Sequence, residues 1–196
     1  MIDSALKFLR DFLNEELATA LNPDPVVLAN ITKDTDIEND KIHLSLVHIE
    51  EEKIGKEVNH QRRINPADTF YTTVNPEIRL NLYILVTYQY NSKNYIEALK
   101  TLGNVATVLQ GRYVFTQKDF ETAPFTAYKE LQQVVIDLYT QTLDQSSNLW
   151  QAMGEKLAPS LLYKMRVVGI QANEPLAETA EIKAIGINVM HKPVSN

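Results

Sequence analysis

Ile78-Arg79-Leu80-Asn81-Leu82-Tyr83-Ile84-Leu85-Val86-Thr87-Tyr88-Gln89-Tyr90 carries an apolar or aromatic residue at every even position. Its odd positions hold Arg79, Asn81, Tyr83, Leu85, Thr87 and Gln89. A period of two sends successive side chains to opposite faces, so residues 78–90 predict a long strand with one apolar face.

Just after it, Asn94 stands where an N-cap belongs and Glu97 can complete a capping box. Tyr95, Leu99, Leu102, Ala106 and Leu109 then recur at helical spacing as far as Gly111, a residue suited to closing a helix. Upstream, Ile42, Leu44 and Leu46 alternate with His43, Ser45 and Val47, predicting a strand over 41–50. Val26-Val27-Leu28-Ala29-Asn30-Ile31 reads as another short strand. Before it, Ile2, Leu6, Leu9, Leu13 and Leu17, widened by Ala5, Phe8 and Phe12, form an amphipathic helical stripe. Asn22-Pro23-Asp24-Pro25 ends that helix, because proline lacks the N–H a helix needs.

Downstream, the β-branched residues of 131–140 favour a strand, 144–153 a short helix closed by Gly154, and 159–170 a strand opened by Pro159-Ser160. After Asn173-Glu174-Pro175, residues 181–190 alternate Ile185, Ile187 and Val189 with Gly186, Asn188 and Met190, suggesting a final strand or strand-like tail. Residues 51–77 show neither period, over a length at which structureless loops become uncommon, and predict a mobile or partner-ordered arm. The order α-β-β-β-α-β-α-β-β contains no repeated βαβ unit. It predicts an α+β fold with a single mixed, mostly antiparallel sheet and helices packed on one face. The other face, with Arg79, Asn81 and Tyr83, would be exposed or available to another subunit.

The 196 residues are 44% hydrophobic and 22% charged, which excludes collagen, coiled coil and bulk disorder. Lys plus Arg number 19 against 25 for Asp plus Glu, a net charge of -6, the wrong bias for a protein that neutralises phosphates. Nucleic acid is therefore not an expected partner. Cysteine is absent, which removes disulfides, thiolate nucleophiles and cysteine metal sites, and fits a reducing cytoplasm. The first residues carry early acidic side chains and no continuous apolar core, so no signal peptide is expected there. No run of about 18 apolar residues offers a membrane-spanning helix.

A search for chemistry returns little. His43, His48, His60 and His191 lack metalloprotease spacing, and His43 and His48 would face opposite sides of one strand unless a bulge intervened. The six glycines form neither a phosphate loop nor a dinucleotide fingerprint. Ser160 has no flanking glycines to project it from a sharp turn. Glu50, Glu51 and Glu52, like Glu15 and Glu16, lie on polar segments where solvated charge is the usual explanation. Asn30-Ile31-Thr32 matches a glycosylation acceptor by chance in the absence of a secretory signal. Trp150 reads as a core anchor. No catalytic residue, cofactor or metal ligand is expected, and an assembly role is favoured over an enzyme.

Asn81-Leu82-Tyr83-Ile84-Leu85, Asn94-Tyr95-Ile96-Glu97-Ala98-Leu99-Lys100, Gln110-Gly111 with Val114-Phe115-Thr116, Leu149-Trp150, Gly154, and the run from Pro159 through Val168 together resemble a known family. It is the tube-terminator, or cap, family of extracellular contractile injection systems, the phage-tail-like particles of antifeeding-prophage and virulence-cassette type. The similarity starts at Ile2-Asp3-Ser4-Ala5-Leu6-Lys7-Phe8-Leu9, includes Val47-His48-Ile49-Glu50-Glu51-Glu52 and reaches about Ile170. Its specificity lies in the order and spacing of these segments, since none is diagnostic alone.

The resemblance implies a tail-terminator-like fold and a non-enzymatic ring, expected to be hexameric, that ends the inner tube and anchors the distal sheath. Its partners would be copies of itself, the tube protein and the sheath protein, with no nucleic acid and no membrane insertion. Assembly would be cytoplasmic, in a particle that can be released. Residues 1–170 would form the cap domain, with the arm at about 52–77, and 171–196 an extension. Arg62 and Arg63 on the arm, with Arg79 and Tyr83 on the sheet, are the expected assembly contacts. The competing readings are a neck or baseplate connector of the same kind of particle and a small-molecule-binding enzyme without a recognisable motif.

Overall fold

The computed structural model describes residues 1–18, 24–30, 40–52, 61–62, 70–73, 79–89, 95–169 and 177–180; for 61–62, 70–73, 169 and 177–180 it does so by backbone alone. The chain divides into two compact units, Met1–Gly55 with Glu77–Ile170, and Lys56–Pro76 with Gln171–Asn196.

The first unit is built on a six-stranded sheet of β1 (Val26–Leu28), β2 (Lys41–Glu51), β5 (Arg79–Gln89), β6 (Val114–Thr116), β7 (Leu131–Leu138) and β8 (Ser160–Gly169). The spatial order is β1-β2-β5-β8-β7-β6; β1 lies parallel to β2 and every other neighbour is antiparallel. The α+β class with a mixed, mostly antiparallel sheet is therefore as the sequence indicates. β5 falls within the stretch 78–90 expected to be a strand; it is flanked on both sides by long partners, and its Leu82, Ile84 and Val86 are fully buried.

On the face carrying those three residues lies α1 (Ile2–Leu17), which buries Ala5, Phe8, Leu9, Phe12, Leu13 and Leu17 in the main core. Beside it α2 (Tyr95–Gly111) contributes Leu102, Val105 and Leu109 to the same core. Asn94, the expected cap, lies outside the described residues. The buried face of α2 is Ala98, Thr101, Leu102, Val105 and Leu109, rotated from the stripe expected from sequence, and Tyr95 and Leu99 are exposed. Either stripe satisfies helical spacing, so the choice between them is made by packing and not by the local period.

Three elements escape the sequence patterns: β6, α3 (Gln117–Glu121) and a 3-10 turn Phe125–Tyr128. Their rings close the end of the core around Phe8, whose centroid lies 4.8 Å from Phe115, 5.0 Å from Phe120, 5.2 Å from Phe125 and 5.7 Å from Tyr128, all edge-on. Such geometry aligns the positive edge of one ring with the negative face of another. The Tyr128 hydroxyl donates to Asp11 on α1, and burial followed by that bond pushes the phenol up to about 12. A capping box between Thr116 and Asp119 starts α3, and Arg112 pairs with Asp119 at 2.8 Å.

The expectation of helices on one face is corrected by α4 (Leu143–Met153). Leu85 and Leu162 are cross-strand partners pointing away from the main core, and Trp150 packs on both in a separate cluster. A strand flanked on both sides can carry apolar residues on both faces, and Leu85 is such a residue. The Thr142 hydroxyl oxygen accepts from the Gln145 backbone N–H at 3.2 Å, and the Thr142 backbone N–H donates to the Gln145 side-chain Oε1 at 3.0 Å. Gly154 closes the helix at φ 76°, in the left-handed region that favours glycine.

The two sheet edges differ. At β1, the Asn14 side chain accepts from the Val26 amide at 2.8 Å and donates to the Val26 carbonyl at 3.2 Å, occupying both backbone groups of that residue. This side chain closes the edge as a strand would. Replacing Asn14 with alanine should lower stability by about 1–3 kcal/mol, since it strands two partly buried backbone groups. Urea unfolding monitored by circular dichroism checks the value; no loss would show that the bridge is dispensable.

The second unit contains a three-stranded antiparallel sheet in the order β3-β4-β9, from β3 (Gln61–Arg62), β4 (Phe70–Thr73) and β9 (Ala177–Ala180). The region expected to be an arm thus includes the two short strands β3 and β4, and this small sheet belongs to the other unit, apart from the six-stranded one. Strands of two and four residues are too short to show a period, and β4 pairs on its other side with β9, far along the chain at 177–180. The strand expected at 181–190 lies outside the described residues.

Candidate assembly surface

The odd positions of β5 lie on the α4 side of the sheet, and the register shows what surrounds them. A bulge in β2 shifts the pairing between Leu46 and His48, so His43 lies opposite Thr87 and His48 opposite Tyr83. The extra residue moves His48 onto the same face as His43, contrary to the expectation for a regular strand. Their partners are four residues apart on β5, about 13 Å along a strand, so the two imidazoles still do not meet. Among the described residues no group of three or more His, Asp or Glu could hold a metal ion.

This face is not uniformly open. Near α4, Leu85, Thr87, His43 and Ser45 are buried. Tyr83 is half-buried, its hydroxyl donates to Glu50 at 3.0 Å, and its ring meets Tyr139 edge-on at 5.2 Å. Burial, then the Glu50 bond, raises the phenol pKa, so the hydroxyl stays protonated and its hydrogen bond persists. Asn81 is also buried; it donates to Glu52 at 3.2 Å and leaves its carbonyl oxygen without a hydrogen bond.

Away from α4 the sheet forms two adjoining hollows that share Arg79, Gln133 and Val168, one extended by Glu52, Val135 and Arg166 and the other by Thr116, Gln117 and Gln132. Arg166 is paired with Asp137 at 2.8 Å. Alternating charge on adjacent strands suits recognition of a polar protein surface.

Of the residues singled out from sequence, Arg79 and Tyr83 therefore share one face, Arg79 at the open hollow and Tyr83 in the partly covered centre. Arg62 lies in β3 of the second unit, opposite Thr72, and Arg63 lies outside the described residues.

Sequence reasoning missed a third surface. On the main-core side, a hollow of about 450 Å³ lies between the C-terminal half of α2 and the end of β7, lined by Ala106, Leu109, Tyr113, Ile136, Leu138 and Tyr163 among others. Tyr113 is 49% exposed and Leu138 58% exposed. The signal was the shifted stripe on α2: Ala106 and Leu109, read as core, border this hollow.

The Pvc16 N-terminal domain family matches residues 5–183. No curated protein matches the chain. A cryo-EM structure described as an extracellular contractile injection system, PVC sheath/tube terminator in the extended state, has a similar fold with a TM-score of 0.61 at 15% identity. The likeness covers 98% of this chain and 64% of that one. The cryo-EM structure of the anti-feeding prophage cap, a tube-terminating cap, aligns with a TM-score of 0.57 at 17% identity, over 91% of this chain and 59% of that one. The chain thus spans about three fifths of the length of these two structures. With most of the sequence inside the family match and the fold shared with these terminators, this chain belongs to the Pvc16 N-terminal domain family.

Proposed function

We propose that the chain is a structural cap that ends the inner tube of a contractile injection system and anchors the distal sheath, working as a ring of identical subunits without catalysis. The observation that carries this reading is the fold likeness, over 98% of the chain, to a protein whose description is a sheath/tube terminator. A tube grows by repeating one head-to-tail contact, so its terminator has to match the tube on one face and refuse a further layer on the other. In a hexamer every weak contact is present six times, and multivalency converts a modest interface into a durable one.

In this reading the partners are further copies, the tube protein and the sheath protein. Arg79 and Tyr83 contribute from the sheet, and Arg62 and Arg63 from the arm at about 52–77. Residues 1–170 act as the cap domain and 171–196 as an extension. Assembly takes place in the cytoplasm on a particle that can then leave the cell.

Electron microscopy of particles from a strain lacking this chain tests the assignment. Overlong tubes, or tubes that shed their sheath, are expected. Particles of unchanged length and integrity would overturn it, and shortened particles missing their opposite end would indicate a baseplate connector.

A further inference from the structure

The hollow between α2 and β7 is walled by Leu109, Ile136 and Tyr163 of the main core and rimmed by the exposed Tyr113 and Leu138. Tyr163 itself is only 3% exposed. Burial alone acts on its phenol and raises the pKa, and no described residue hydrogen-bonds its hydroxyl, so an apolar wall carries an unengaged donor. About 450 Å³ is room for one large apolar side chain and the main chain beside it. The occupant that suits this wall is apolar and uncharged and brings a hydrogen-bond acceptor, since a charge buried there without a partner would be costly. A leucine with a free carbonyl next to it meets those terms.

Leu157 offers this combination. It is 63% exposed in the loop between α4 and β8, and among the described residues no backbone N–H bonds the carbonyls of Lys156, Leu157 or Ala158. The loop is held at both ends, by the Gly154 and Glu155 amides bonding back to the last turn of α4 and by the fixed φ of Pro159, so little order is lost when the knob is buried. Ala158 packs on the Leu85, Trp150 and Leu162 cluster, which puts the loop on the α4 side of the sheet, whereas the hollow opens on the main-core side. A subunit's own Leu157 therefore does not fill its own hollow. Leu143 is more exposed, at 86%, but its carbonyl is used within the first turn of α4.

We propose that Leu157 of one copy of this chain sits in the hollow of the next, with a carbonyl of 156–158 accepting from the Tyr163 hydroxyl. The proposal rests on the ring reading above. Knob and hollow lie on opposite faces of the sheet, so each subunit gives with one face and receives with the other, the heterologous contact from which a ring closes. An apolar anchor in a pocket of the partner is also where the binding energy of an interface concentrates.

The absence of native cysteine makes disulfide trapping clean. Chains carrying Leu157→Cys are mixed with chains carrying Leu138→Cys at the rim of the hollow, alone and with tube and sheath proteins, then oxidised. A linked pair of chains that needs both variants is expected. Rings without that link, or Leu157→Cys chains linking equally well to one another, would overturn the proposal while leaving the cap reading intact. As a second measurement, Leu157→Asp should reduce ring yield by about tenfold or more, because the charge would lose hydration in the hollow, while Leu143→Asp leaves the yield unchanged. Tyr163→Phe keeps the shape of the wall, removes the donor and should weaken assembly about threefold. Light scattering reads the yield, and circular dichroism confirms that each variant folds. Unchanged yield with Leu157→Asp or Tyr163→Phe, or an equal loss with Leu143→Asp, would overturn the proposal. Failure of the unmodified chain to form a ring, alone or on tube ends, would remove the ring reading and this proposal with it.

Discussion

Replacing Phe8 with alanine is expected to lower stability by about 3–5 kcal/mol, the range for removing a large aromatic side chain from a closed core. The side chain is fully buried, and it meets rings from all three of the consecutive short elements β6, α3 and the 3-10 turn, about a hundred residues after α1 in sequence. Without it, Phe120 and Tyr128 lose their ring contact to α1, while Phe115 and Phe125 retain Phe12 at 4.8 and 6.3 Å and cannot by themselves fill the vacated centre. Because β6, α3 and the 3-10 turn are short, they have little hydrogen bonding of their own with which to close the gap. Thermal unfolding should show a midpoint lowered by roughly 10 °C or more. A loss below about 1 kcal/mol would mean that the aromatic cluster is not what secures this end of the sheet.

Trp150→Ala should have an effect of similar size, about 3–5 kcal/mol, by a different route. Trp150 is the main cover of Leu85 and Leu162 on the face away from α1, with Leu149 and Met153 of the same helix beside it. Its removal exposes that small second core to water and leaves α4 held mainly by its ends, capped by Thr142 and Gly154. Trp150→Phe should cost far less, about 1 kcal/mol, since the indole N–H is buried without a hydrogen-bond partner and nothing polar is stranded when it goes. Urea midpoints of the two variants, followed by circular dichroism because Trp150 is the sole tryptophan, provide the check. Equal losses in both would assign the stabilisation to the indole ring in particular and contradict the packing account.

Much of the architecture could be read from local pattern. The alternation at residues 78–90, the helical stripes of α1 and α2 and the closing glycine at Gly154 each report a geometry that the chain meets within a few residues. The short pieces β3, β4 and β6 could not be read this way, because two to four residues carry no measurable period. Phe115, Phe120, Phe125 and Tyr128 fit no helical or strand spacing, yet all four meet at Phe8. Of the assembly surface, Arg79 and Tyr83 were legible as residues of one strand face. Which part of that face stays open was not, since it depends on where Trp150 docks. The bulge after Leu46 was equally hidden, and it alone reverses the side on which His48 lies.

By itself, then, the sequence determined the strand and helix content, the mixed α+β class, the lack of any recognisable catalytic motif, and the family resemblance. Each of these is set by residue type and near-neighbour spacing. Only the tertiary structure decided which of two plausible stripes on α2 faces inward and which sheet face α4 covers. Those choices are made by side chains distant in sequence competing for the same volume, and no local period records the outcome of that competition.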